Sequence, residues 1–275
     1  MKIAVHQMCS TTNPDHNTGM MTEAIRQSAA AGAKMYFAPE MSILLDRDRN
    51  RARGFIVSES ESEPLRALSE CARDVAIWVH IGSIPVLHES SGKYANRAFV
   101  LDPEGQVRAR YDKMHLFDVD LATGESWRES AANAAGDAPV AVDTPLGLMG
   151  LTICYDIRFP QLYSALIRSA VDIIAVPAAF TVPTGKAHWH TLLKARAIEA
   201  AAFVVAAAQS GQHEDGRTTY GHSLVVDPWG DVLLDMGEGE GLGFAELDLN
   251  RLAEVRAQIP VHRNAREISM PVRRC

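Results

Sequence analysis

The chain has 275 residues, 47% hydrophobic and 22% charged, proportions ordinary for a globular protein able to bury a sizeable core. Its 27 basic and 34 acidic side chains give a net charge of −7 with no run of five or more like charges, which argues against nucleic acid and anionic membrane as partners. Residues 1–7 turn polar too early for a signal peptide, and the apolar stretch 200–208 is far short of the roughly 20 residues of a spanning helix, so a cytoplasmic protein is expected.

In chain order, periodicity predicts a strand at 3–8, a helix from about 19 to 31, a strand at 35–38, a helix from about 64 to 74 and a strand at 77–84. A hairpin at 96–101 and 107–111 follows, turned by Asp102-Pro103-Glu104-Gly105. The second half repeats the order: a strand at 148–153, a helix from about 160 to 169, a strand at 172–176, a helix from about 187 to 200 and a strand at 203–208. Its hairpin is turned by Asp227-Pro228-Trp229-Gly230, so two Asp-Pro-x-Gly-x-Val turns lie 125 residues apart. That period is too long for a solenoid and implies two similar halves. Each half is a sheet covered by helices on one side; burying the two bare faces together gives an α/β fold, a four-layer α-β-β-α sandwich forming one domain. From residue 250 a helix and then an extended arm are expected, the arm suited to packing on a neighbouring subunit of a homodimer or higher homo-oligomer.

Cys9, Cys71, Cys154 and Cys275 are scattered with no C-x-x-C pair, so neither a disulfide framework nor a zinc cage is suggested. Cys154 ends the apolar run 150–153 just before the helix-starting Pro160, which sets its thiol at a strand-to-helix bend where backbone N–H groups converge. Taken singly, such a cysteine reads as core, Glu40 after Pro39 as a capping or solvated carboxylate, and Lys113 after the hairpin as a surface charge. Together, a thiol, a carboxylate and an ammonium make an acyl-transfer set of nucleophile, proton shuttle and oxyanion partner.

Three segments, Phe37-Ala38-Pro39-Glu40-Met41, Tyr111-Asp112-Lys113-Met114-His115-Leu116 and Leu151-Thr152-Ile153-Cys154-Tyr155-Asp156-Ile157-Arg158-Phe159-Pro160, resemble the signature motifs of the nitrilase (carbon–nitrogen hydrolase) superfamily in the right order. The resemblance implies the four-layer sandwich, a Glu40–Lys113–Cys154 triad, a small-molecule amide substrate and no cofactor. It also implies a second carboxylate at Glu129, 16 residues after Lys113, which otherwise reads as a loop charge, and an oxyanion donor in the backbone N–H of Tyr155. Phe180 and Thr181, beyond the strand at 172–176, are candidates for the substrate pocket, with Phe180 equally readable as core.

His188-Trp189-His190 suggests no metal site, because an i, i+2 pair diverges on a helix and no further ligand pattern accompanies it. The glycines at 237, 239, 241 and 243 lack a phosphate-loop spacing and read as a mobile turn, and Ser223 lacks the G-x-S-x-G setting of a nucleophile. Cys154 is followed by Tyr155-Asp156 rather than the Trp-Glu of nitrile-cleaving members, which points to amidases. The segments 187–199, 204–209 and 220–230 are most similar to the deaminated glutathione amidases, with the omega-amidases next, although His190 and Lys186 depart from the glutamate and proline usual there. An N-carbamoyl amino compound hydrolase and a binding member without turnover are the alternatives.

Overall fold

The computed structural model describes residues 1–88, 91–120, 124 and 126–266. The first half runs β1 (Lys2–Gln7), α1 (Pro14–Ala30), β2 (Met35–Phe37), α2 (Arg49–Ala52), α3 (Glu63–Asp74), β3 (Trp78–Leu87), β4 (Tyr94–Leu101) and β5 (Val107–Asp112). Two short strands, β6 (Asp118–Asp120) and β7 (Ser126–Arg128), precede β8 (Val140–Thr144). The second half runs β9 (Gly147–Leu151), α4 (Pro160–Arg168), β10 (Ile173–Ala175), α5 (Val182–Ala200), β11 (Phe203–Ala206), β12 (Ser210–Gln212), β13 (Thr218–Tyr220), β14 (Leu224–Val226) and β15 (Val232–Asp235). β16 (Gly241–Glu246), α6 (Asn250–Gln258) and α7 (Val261–Asn264) follow. The expected helix after residue 250 is α6; the arm beyond 266 lies outside the described residues.

Helix starts follow local chemistry. Asn13 caps α1 through its side chain, accepting from the backbone of Asp15 at 2.9 Å and His16 at 3.2 Å, with Pro14 in the first turn. This cap moves the start of α1 well ahead of the expected residue 19. Likewise α5 begins at Val182, five residues earlier than periodicity suggested, because Pro183 fits a first turn.

Two six-stranded sheets form, ordered β16-β1-β2-β3-β4-β5 and β15-β14-β11-β10-β9-β8. Strand alternation sorts the first sheet's side chains into two layers. Ala4, Tyr36 and Val79 pack under Met21 and Ile25 of α1 and Leu65 and Leu68 of α3. Ile3, Val5, Met35 and Phe37 instead meet the second sheet, whose other side carries Leu162 and Leu166 of α4 and Trp189 and Leu193 of α5. The result is the α-β-β-α sandwich.

The outermost pairings exchange strands between halves. β8 follows the first hairpin yet pairs antiparallel with β9, while β16 follows the second hairpin and pairs with β1 along all six of its residues. The glycine-rich segment is therefore only partly the expected turn, since from Gly241 it is a strand. At position 243 inside that strand a Cβ would sit 2.8 Å from the Met236 sulfur and 2.9 Å from Leu234, so a larger residue would make those two side chains shift.

Candidate active site

The carboxyl ends of β2, β9 and β10 and the loops after β5 and β7 surround a cavity of about 440 Å³. Cys154 sits three residues beyond β9, its N–H held by the Pro177 carbonyl at 2.9 Å, and adopts φ +49°. Met41, beside Glu40, has φ +55°, so two non-glycine residues flanking the cavity occupy the sparsely populated left-handed region. The turn bearing Glu40 rests on β3: Ser83 N–H reaches the Pro39 carbonyl at 3.2 Å, and Ser42 N–H the Ser83 carbonyl at 2.9 Å. Gly82, at φ +70°, allows this approach, since a Cβ there would lie 1.8 Å from the Pro39 oxygen.

Glu40, Lys113 and Glu129, from three separate segments, form one ionic chain. Lys113 Nζ donates to Glu40 Oε1 at 2.8 Å and to Glu129 Oε2 at 2.9 Å. Asn96 Nδ2 donates to the same two carboxylates, at 2.9 Å and 3.3 Å, and the Ala179 N–H reaches Glu40 Oε2 at 2.9 Å. Glu129 further accepts the Phe117 N–H at 2.7 Å and Asn133 Nδ2 at 3.4 Å. Lys113 is only 2% exposed. Burial opposes its charge, yet Glu129 and Glu40 prevail and hold the ammonium well above its usual pKa.

Burial, then the Glu40 charge, pushes the Cys154 thiol well above its ordinary pKa, against the pull of Lys113. A thiol raised above its ordinary pKa has a proton to lose before its sulfur can act as a nucleophile, and a carboxylate stands beside it. The Tyr155 N–H, next in the chain, is donated to no backbone carbonyl or side chain among the described residues. Phe180 and Thr181 both line the cavity; Phe180 contacts the Trp189 ring at 4.7 Å, and Thr181 hydrogen-bonds Thr184 at 2.8 Å.

Several residues that sequence reasoning did not single out shape this arrangement. Buried Asp156 accepts Tyr111 Oη at 2.7 Å and the Ile153 N–H at 2.9 Å on one oxygen, and the His115 N–H at 3.0 Å on the other. It thereby fastens the Cys154 turn to the segment carrying Lys113. Arg196 of α5 caps the same turn through the Ile157 carbonyl at 2.8 Å and 3.1 Å. The one sequence signal for Asp156 and Arg158 was their place within the cysteine motif, and Asn96 carried none.

The other three cysteines lie elsewhere: Cys71 is on the core-facing side of α3, Cys9 is 3.6 Å from His213, and Cys275 lies outside the described residues. His188 and His190 diverge on α5. The fold brings His190 to Asp235 at 2.9 Å, with His222 on the other carboxylate oxygen at 2.9 Å, whereas His188 faces Arg158. Residues 190, 222 and 235 are too far apart in sequence for a spacing pattern to expose them.

A thiol, a neighbouring carboxylate and a fixed ammonium at the floor of a cavity are the groups that acyl transfer to a cysteine calls for. The family model described as carbon-nitrogen hydrolase matches residues 2–257, and the chain belongs to that family, the nitrilase superfamily; it is an amidase. A protein of Bos taurus called deaminated glutathione amidase is 39% identical over 96% of this chain and 81% of its own length. One of the same name from Synechocystis is 40% identical over 94% and 95%. Among solved structures, the C. elegans NitFhit protein superposes with a TM-score of 0.89 at 36% identity, covering 96% of this chain; this chain spans 65% of that protein.

Proposed function

We propose that this amidase hydrolyses deaminated glutathione through a Cys154 thioester, with Glu40 as general base and acid and Lys113 and the Tyr155 N–H as the oxyanion site. In this reading Glu40 takes the thiol proton as sulfur attacks the amide carbon, and the oxygen's charge falls between Lys113 and the Tyr155 N–H. Glu40 then returns the proton to the leaving nitrogen, releasing cysteinylglycine. Water next attacks the α-ketoglutaryl thioester, Glu40 again accepting a proton, and Glu129 orients Lys113 and the incoming water. Proton transfer falls to Glu40 Oε2, because Oε1 already accepts both Lys113 and Asn96. No cofactor takes part.

The observation that carries the acyl half is Arg158, four residues past the nucleophile. Its guanidinium lies 5.4 Å from the Phe180 ring centroid on the cavity wall, meets His188 Nδ1 at 3.4 Å and has no carboxylate partner among the described residues. A cation so placed suits the carboxylate of an α-keto acyl chain. Names borne by the Bos taurus and Synechocystis relatives support the same substrate.

Both halves are proposed to act as one domain, since the core between the sheets draws on each. A homo-oligomer is proposed from the exposed side chains of Ile198, Trp229, Val232 and Leu233 on α5 and the β14–β15 hairpin. The cytoplasmic location is likewise a proposal.

Turnover of deaminated glutathione, α-ketoglutaramate, glutamine and an N-carbamoyl amine by wild type and Cys154→Ala tests the reading. Wild type should favour deaminated glutathione, and Cys154→Ala should hydrolyse none of the four, while Cys9→Ala and Cys71→Ala keep most activity. Substantial hydrolysis by Cys154→Ala would sink the mechanism, and preference for the carbamoyl compound would sink the substrate.

A further inference from the structure

Five arginines line the cavity: Arg47, Arg49, Arg128, Arg158 and Arg217. Two are neutralised locally, Arg128 by Asp120 at 2.8 Å and Arg217 by Asp215 at 2.7 Å. The other acids on that wall are also engaged. Asp46 holds Arg51 at 2.6 Å, and Asp48 caps α2 by accepting the N–H groups of Asn50 and Arg51. Arg47 and Arg49 are thus left, with Arg158, lacking a carboxylate partner among the described residues.

Exposed arginines are commonly solvated and without function. Two features set these apart. Arg47 is held against a cavity-lining ring, its guanidinium 5.2 Å from the centroid of Trp127, and Arg49 is tied by one nitrogen to the Arg128 carbonyl at 2.7 Å. Both side chains are therefore oriented before any ligand arrives. They also stand on a different wall from Arg158. That residue contacts Phe180 and His188 at the start of α5, whereas Arg47 and Arg49 stand with Trp127 of β7, whose ring meets Phe117 and, through it, Tyr155 beside Cys154. The nucleophile is flanked by one cation on the α5 side and a pair on the β7 side that have no carboxylate partner among the described residues.

An amide cut in its middle and bearing a carboxylate at each end matches that distribution; one releasing ammonia uses only one of the cationic walls. We infer that Arg47 and Arg49 form a subsite for the carboxylate of the leaving amine, selecting amides of carboxylate-terminated, peptide-like amines over primary amides. The inference rests on the acyl reading proposed above and extends it to the leaving group. Planar guanidinium groups give bidentate contacts to a carboxylate, and because the site is exposed, its contribution falls with added salt.

The test compares wild type, Arg47→Ala/Arg49→Ala and Arg47→Lys on three substrates: deaminated glutathione, its analogue with the glycine carboxylate capped as a carboxamide, and α-ketoglutaramate. In wild type, capping should lower kcat/KM at least about tenfold, mainly through KM, and high salt should erase most of that difference. In the double variant the preference for deaminated glutathione over both comparators should fall by a similar factor, with the capped and uncapped amides becoming equivalent. Arg47→Lys should fall between. An unchanged preference in the double variant, or an equal loss on all three substrates, would overturn the subsite while leaving the acyl reading intact. If wild type hydrolyses none of the three, the acyl reading fails and this inference fails with it.

Discussion

Replacing Glu40 by glutamine removes both its charge and its proposed proton-transfer role, and the two losses are read by different assays. Oε1 accepts Lys113 and Asn96, and Oε2 accepts the Ala179 N–H, so three donors converge on one carboxylate. A glutamine keeps at best the Oε1 pair, turning its NH2 toward the Ala179 N–H and leaving a donor facing a donor, a cost of about 1–3 kcal/mol in stability. For a chain of this size, each kcal/mol lowers Tm by roughly 2–4 °C. Since an amide cannot accept the thiol proton, turnover should fall by ~10²–10⁴. The thiol itself should move the other way. Glu40 raises the Cys154 pKa and Lys113 lowers it, so deleting the carboxylate charge leaves only the lowering influence alongside burial. Iodoacetamide alkylation followed against pH, by intact-protein mass, should therefore give a lower apparent thiol pKa in Glu40→Gln than in wild type, while amide hydrolysis collapses. An apparent pKa that stays put or rises, or turnover within tenfold of wild type, would refute the assignment.

Glu129→Gln should form the acyl adduct and accumulate it, because the impaired step is then attack by water; adduct in Glu40→Gln and none in Glu129→Gln would show the two carboxylates to be interchanged. Gly82→Ala places a Cβ 1.8 Å from the Pro39 oxygen at φ +70°, so it should displace the Glu40 turn, destabilise by more than ~2 kcal/mol and slow turnover. Gly19→Ala, with nothing within 4 Å in α1, should be neutral or stabilising by up to about 1 kcal/mol, and equal denaturation midpoints for the two variants would contradict the argument. Burial lowers His6 and His80 from 6.5 to about 4, so below pH 6.5 the unfolded chain binds protons that the folded chain refuses. Their stability contribution is present above pH 6.5 and lost as pH falls toward 4, about 2 kcal/mol per ring between pH 7 and pH 5. Urea midpoints that do not fall over that interval would count against it.

Amino-acid order alone determined the features that rest on local physics. Hydrophobic period, proline placement and the paired Asp-Pro-x-Gly turns located most sheet strands and four of the five longer helices, α1, α3, α4 and α5, with a fifth, α6, expected from residue 250, and the half-repeat was enough to derive the layered fold. Signature segments around Glu40, Lys113 and Cys154 were legible because each is contiguous. Tertiary structure alone decided the exchange of β8 and β16 between halves. A strand's partner depends on edge geometry that no local pattern encodes, and the glycines before and within β16 hid it. The same holds for Asn96, which bridges Glu40 and Glu129, and for Asp156, which fastens the Cys154 turn to the Lys113 segment. It holds as well for Arg47 and Arg49. A charged side chain in a sequence looks like any other solvated charge; whether it is paired, buried or left open on a cavity wall depends on which distant acids the fold brings to it.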